Sequence, residues 1–155
     1  MLASARFNQK TYREREEFMR RNNIECIYGT QLKIKPKVAA NQLLLVVEMN
    51  NETNQVMGIG LIRNMICDSQ DIYEDPNYNR YTYMGKYRVS REQMEEYDKK
   101  MVEIFDLILF KGYTHIKRHS GITIIPPALL TCERVENIDL TKKVKSMFKT
   151  IFQKL

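Results

Sequence analysis

The chain has 155 residues, 43% of them hydrophobic and 28% charged, with a formal net charge of +6 and a pI of about 9.2. That length suits one domain with a core of its own, and the composition excludes a disordered chain. The basic balance favours a polyanionic partner, nucleic acid or an acidic protein face, without requiring one.

Residues 1–25 read as a charged helix or arm. Within TYREREEFMRRNN, Arg13 and Glu17, Glu16 and Arg20, and Glu17 and Arg21 stand four apart and can pair along one face. Phe7, Tyr12, Phe18 and Met19 give it only a thin apolar stripe. From residue 27, IYGTQLKIKPK alternates through Leu32, Lys33, Ile34 and Lys35, the period of a half-buried strand. Pro36 confines that strand to an edge or an end. QLLLVVEM and VMGIGLIRNMI are runs of β-formers around NNETNQ, whose residues tolerate turn geometry, so the pair predicts a β-hairpin. Gly58 and Gly60, two apart in the second run, mark a bulge, a bend or the close approach of another group.

DSQDIYEDPNYNR, over 68–80, has turn chemistry and no apolar period, and reads as a loop. YTYMGKYRV alternates, with Tyr81, Tyr83 and Tyr87 facing one way across a bend at Gly85. Ser90 and Gln93 form an S-x-x-Q capping box. Behind it Met94, Tyr97, Met101, Ile104, Phe105, Ile108 and Leu109 recur at helical spacing, and the helix ends before Gly112. GYTHIKRHSGITIIPP predicts two short strands around a KRHSG turn, the second stopped by Pro126 and Pro127. LTKKVKSMFKTIFQKL is a basic amphipathic helix with Leu140, Val144, Met147, Phe148, Ile151 and Phe152 on its apolar side. At its end Lys154 sits favourably beside the carboxylate of Leu155. The order predicts an α+β domain on a small curved sheet or β-barrel with flanking helices. Its expected organisation is an N-terminal helix or arm over 1–25, a domain over 26–135 and a C-terminal helix over 136–155 packed on that domain.

Cys26, Cys67 and Cys132 are odd in number and scattered, which fits a reducing compartment. No CxxC pair occurs, and with only His115 and His119 to join them a zinc site is not expected, nor any cofactor. MLASARFNQK lacks the apolar core of a secretion signal, and no apolar run approaches the ~20 residues that cross a bilayer. An intracellular protein, cytoplasmic, nuclear or carried in a virion, with no membrane partner, is the expectation. Glu48, Asp68, Asp71, Glu74 and Asp75 show no spacing tied to catalysis, and GxSxG, P-loop and HExxH motifs are absent. Cys132 with either histidine has no supporting context as a nucleophile pair. The chain is therefore expected not to be an enzyme.

Two clusters remain. At the KRHSG turn, Lys117 and Arg118 can hold a phosphate, Ser120 can add a neutral hydrogen bond, and His119 can stack on a base. The same residues also make an ordinary solvated turn with Ser120 and Gly121 at its corner. Tyr28, Tyr78, Tyr81, Tyr83 and Tyr87, interleaved with Arg80, Lys86 and Arg88, can form a stacking platform or fill a barrel wall. The C-terminal helix can grip RNA, anionic lipid or a partner groove, or pack with its lysines outward.

Four co-linear motifs resemble the PUA-like superfamily and, within it, EVE and YTH domains. IYGT at 27–30 is similar to the aromatic-x-Gly-Val segment that opens EVE domains. NQLLLVVEMNNETNQVMGIGLI is similar to their hairpin, DPNYNRYTYMGKYRV to their acidic, Pro- and Tyr-containing loop and strand, and RHSGITIIP to their late Arg-x-Ser strand. The resemblance covers about residues 26–130. It implies a PUA-like barrel and non-catalytic recognition of a modified or flipped-out base, in RNA or DNA, in a shallow pocket between the first strand, the hairpin and the RHS strand. The residues it nominates, with the clusters above, are Tyr28, Thr30, Tyr81, Tyr83, Lys86, Lys117, Arg118, His119 and Ser120. The chain departs from the family in having no Trp, the residue that often walls the base pocket. The alternative is a PUA-like scaffold serving as a structural subunit of a virion or ribonucleoprotein, with a protein partner held by the terminal helices.

Overall fold

A computed structural model describes residues 1–153. The fold is α+β. Five strands pair in the order β6-β4-β3-β1-β7, with β1 Leu2–Phe7, β3 Leu43–Asn50, β4 Gln55–Arg63, β6 Tyr87–Ser90 and β7 Thr123–Ile124. β2 Cys26–Thr30 and β5 Tyr81–Gly85 form a second, two-stranded sheet. Helix α1 spans Gln9–Asn22, α2 Arg91–Phe110, α3 Pro127–Leu130 and α4 Leu140–Phe152.

The predicted hairpin forms as β3 and β4, and its turn is closed by Asn50 Oδ1, which accepts from the amides of Glu52 and Thr53. Alternation along β3 assigns its two faces. Leu45, Val47 and Met49 join Ile59, Val89 and the buried side of α2 and α4 in one core. Leu44 and Val46 face a second core with Ala3, Ala5, Phe18, Ile27, Tyr28 and Ile62, under β2, β5 and α1. The predicted capping box is present: Ser90 Oγ accepts from the Gln93 amide, and Gln93 Oε1 accepts from the Ser90 amide. α2 is interrupted at Asp98, whose backbone is extended and whose carboxylate pairs with Lys143 of α4.

β5 and β6 are halves of one stretch of chain. The first half pairs with β2 and the second with β4, so the bend at Gly85–Lys86 joins the two sheets into a curved wall. Among the described residues the ladders do not close on themselves.

The N-terminal expectation is corrected. Leu2–Phe7 is a strand and only Gln9–Asn22 is helix, and the strand lies inside the sheet, parallel to β3 and antiparallel to β7. Its small residues Ala3, Ser4 and Ala5 fit a position covered on both faces, where little side-chain volume is available. Of the expected ion pairs on α1, Glu17 with Arg21 is made at 3.7 Å, and Glu17 also pairs with Arg20, three residues on. Residues 31–42 hold turns and bends in place of the expected strand, although Ile34 and Val38 are buried. The first strand expected at the KRHSG turn is absent, and the double proline starts α3 after ending β7. α4 buries Leu140, Val144, Met147 and Phe148 as its pattern predicts, with Phe152 against Tyr87 at 4.9 Å. The expected Lys154–Leu155 contact lies outside the described residues.

Candidate functional site

The β1–α1–β2–β3 segment brings two parallel strands side by side, with their carboxyl ends at the same edge of the sheet. That edge is where open α/β sheets hold ligands, since chain ends diverge there and a helix amino terminus faces the gap. A cleft of about 270 Å³ occupies it. Ala5, Arg6 and Phe7 come from the end of β1, Asn8 and Thr11 from the start of α1, Tyr28–Gln31 from the end of β2, and Asn51 from the hairpin turn. Tyr73, Tyr78, Ser120 and Gly121 complete it.

Each side chain has a local reason to be there. Asn8 caps α1 in a reciprocal box with Thr11: Asn8 Oδ1 accepts from the Thr11 amide at 2.8 Å and Thr11 Oγ1 from the Asn8 amide at 3.0 Å. Buried Asn79 accepts from the amides of Ile72 and Tyr73 and donates to the Tyr73 carbonyl. This pins the 68–80 loop so that Tyr73 and Tyr78 meet edge to face at 6.2 Å. Arg6 donates to Ser120 Oγ at 3.1 Å, and Asn51 Nδ2 donates to the Lys117 carbonyl at 2.7 Å. Because that bond fixes the amide, Asn51 Oδ1 is left as a buried acceptor with no partner among the described residues.

Behind the cleft lies a buried charge cluster. Glu48 sits mid-strand, flanked in register by Ala5 of β1 and Gly58 of β4, and fully buried. Its carboxylate accepts from Arg15 Nη2 and Tyr28 Oη, both at 2.7 Å, and from Arg88 Nε at 2.9 Å and Nη2 at 2.7 Å. Arg15 lies between two rings, with its guanidinium carbon 5.3 Å from the Phe7 centroid and 4.6 Å from that of Tyr28, and it donates to the Ile27 carbonyl. The paired glycines are explained by close approach. A Cβ on Gly60 would overlap Tyr28 Oη and Cys26 Sγ, and one on Gly58 would lie 2.6 Å from Arg88 Nη2.

The cluster's electrostatics are set by a competition. Burial alone would raise the Glu48 pKa, but the charges of Arg15 and Arg88 outweigh it and hold the carboxyl at about 2, against an ordinary 4.5. Burial likewise opposes ionisation of Arg15 and Arg88, and Glu48 overrides it, so both stay charged. Burial pushes the Cys26 thiol up to about 11 and raises the Tyr28 hydroxyl far above its ordinary value, so neither is a nucleophile near neutral pH. With its folded pKa depressed, Glu48 contributes stability that is complete above pH 4.5 and is lost as pH falls towards 2. Urea unfolding followed from pH 6 to pH 2 should lose about 3 kcal/mol through this group. A flat profile across that window would contradict the assignment.

The cleft gathers three of the nominated residues, Tyr28, Thr30 and Ser120. Tyr28 spends its hydroxyl on Glu48 and is itself only 1% exposed, with Arg15 over its ring, so it backs the cleft as core, while Thr30 donates to the Leu32 carbonyl at 2.6 Å. Tyr83 is corrected from stacking platform to core: it is 1% exposed, and its hydroxyl accepts from the Ile34 amide. Tyr81 is half-buried beneath Lys33, whose Nζ lies 5.4 Å from its centroid, outside the cleft. Lys86 and Arg118 are exposed and Lys117 and His119 half-buried, none of them lining it. Burial, then the charge of Lys35, lowers the His119 pKa. Sequence reasoning missed Arg6, Phe7, Asn8, Thr11, Asn51 and the buried Arg15. For Asn8 and Thr11 the N-x-x-T capping pattern was a usable signal.

Among the described residues, no group of three or more His, Cys, Asp or Glu side chains is placed to hold a metal ion, and no helix is long and apolar enough to cross a membrane. Compared with models of known families, with curated proteins and with solved structures, the chain matches none.

Proposed function

We propose that this protein is a non-catalytic nucleic-acid-binding module that takes one unstacked base into the cleft at the carboxyl ends of β1 and β3. The observation that carries this reading is one concave site that joins the exposed Tyr78 ring, set edge to face against Tyr73, to the polar side chains of Arg6, Asn51 and Ser120. A base offers two π faces and an edge of N–H donors, and it needs both kinds of partner. The cleft is near the lower end of the ~300–1,000 Å³ range of ligand pockets, which suits a planar fragment better than a large ligand. The curved wall of β2, β5, β6, β4, β3 and β1 supports a PUA-like barrel, the fold the sequence resemblance implies. In this reading tyrosines take the part that Trp often has in the family, and Arg6 lines the cleft in place of Arg118.

Catalysis is disfavoured by the state of the buried groups. Glu48, the carboxylate that Tyr28 bonds behind the cleft, already accepts from three side chains and is held ionised well below neutral pH, so it has no proton to give and little basicity to offer. The test is a titration of labelled single-stranded RNA and DNA, carrying modified and unmodified bases, at two salt concentrations. Binding that depends on base identity at both salts supports the reading. Binding that ignores the base overturns the base-reading site and leaves only a generic basic surface; no binding overturns it in favour of an assembly role. Tyr78→Ala removes an exposed ring set edge to face against Tyr73, so it should leave folding intact and weaken binding by ~1–3 kcal/mol. Equal affinity for both proteins would remove Tyr78 from the site.

A further inference from the structure

Charge around the cleft is segregated. On one side, residues 31–42 and 112–127 carry Lys33, Lys35, Lys37, Lys117 and Arg118 and contain no Asp or Glu. These two segments lie against each other. Leu32 is the nearest neighbour of Gly121, Lys35 and Lys37 border the same small cavity as Ile122–Ile124, and Lys35 acts on His119. Gln31 of the first segment and Ser120 and Gly121 of the second also line the cleft, so the basic surface begins at its rim. Lys33, Lys35, Lys37 and Arg118 are exposed, and among the described residues none of the five makes an ion pair. Elsewhere several cations are neutralised, Lys10 by Glu74, Arg91 by Asp106, Lys100 by Glu136 and Lys143 by Asp98, whereas Lys142, Lys145 and Lys149 of α4 form a second basic group, unpaired among the described residues and remote from the cleft. On the far side of the cleft the loop that supplies Tyr73 and Tyr78 carries Asp68, Asp71, Glu74 and Asp75.

From this asymmetry we infer that a single nucleic-acid strand crosses the protein on one side only, its phosphates on Lys33, Lys35, Lys37, Lys117 and Arg118. Asp68, Asp71 and Asp75, which make no ion pair among the described residues, turn it away from the other side. The inference rests on the base-binding reading for the identity of its partner, and it adds a path and a set of phosphate contacts. Backbone contacts of this kind fix register and carry the salt dependence, whereas the pocket carries base discrimination.

The test measures the anisotropy of labelled oligo-rU and oligo-dT of about 12 nucleotides, within the ~4–16 that one module covers. The wild type is compared with the triple variant K33Q/K35Q/K37Q and with K142Q/K145Q/K149Q on α4, across the other face of the sheet. Each lost phosphate contact on a single strand lowers the slope of log Kobs against log[NaCl] by ~0.7, so the first triple should lower it by about 2 and the second should leave it unchanged. An unchanged slope in the first triple, or an equal fall in both, overturns the path. An abasic oligomer separates the two readings. If it binds as tightly as its parent while the first triple still loses slope, the path stands and the base pocket falls; if it binds weakly while the triple keeps its slope, the reverse holds. Absence of oligomer binding at ~50 mM NaCl overturns both. Lysine-dependent binding to anionic vesicles alone assigns the basic surface to lipid and overturns the nucleic-acid path.

Discussion

Glu48→Gln is expected to destabilise the fold by about 3–5 kcal/mol, a large part of the ~5–15 kcal/mol that holds a domain of this size. The reason is charge balance. Arg15, Glu48 and Arg88 together carry one excess positive charge, and among the described residues Glu48 is the only anion paired with either arginine. Glutamine keeps the shape and leaves two buried guanidiniums facing each other without a counter-charge. Arg15→Met should cost less, because the remaining Glu48–Arg88 pair is neutral and the methionine can lie between the Phe7 and Tyr28 rings. Urea denaturation of both variants checks the order. If Arg15→Met is the more damaging, Arg15 contributes through packing and its hydrogen bond to Ile27, and the charge argument fails.

Gly85→Ala is the second large effect. A Cβ there would overlap the carbonyl oxygen of Leu61, an atom of the β4 backbone that no rotamer change can move. Relief requires β5 to draw away from β4 at the bend that joins the two sheets, so the loss should reach ~3 kcal/mol, the upper part of the range for overpacked sites. It should also loosen the β2–β5 ladder selectively, seen as faster amide exchange at Cys26 and Tyr28 than across β3–β4. Uniform acceleration over both sheets would show that the bend does not act as a separate joint.

The parts of this fold that were legible in the sequence are those encoded by neighbours. The β3–β4 hairpin, the Ser90–Gln93 box and the apolar stripe of α2 need only local pattern. β1 was hidden because LASARF has neither a strong alternation nor bulky β-formers; only its pairing with β3 and β7 makes a strand of it. Arg15 was hidden for another reason. REREE offers several equivalent charges, and nothing in the run marks the one that turns inward. Glu48 was the readable half of that pair, as a lone carboxylate in LLLVVEMN opposite two glycines that leave room for partners. At the cleft, Tyr28, Thr30 and Ser120 could be nominated from their motifs. Arg6 and Asn51 enter it through a parallel pairing of distant segments, which spacing along the chain does not reveal.

The central position of β1 bears on the order in which the molecule is built. The hairpin closes over a short turn and needs little loop entropy, whereas β1 must close a far longer loop to reach β3, and β7 can be seated only after β1. The β1–β3 ladder is therefore a late event. Because the cleft is assembled from the ends of β1, β2 and β3 and the turn before β7, ligand competence arrives with the last docking step. In a refolding experiment, recovery of binding should lag behind recovery of hairpin and helix signals, so that the empty cleft serves as a kinetic marker of the completed sheet.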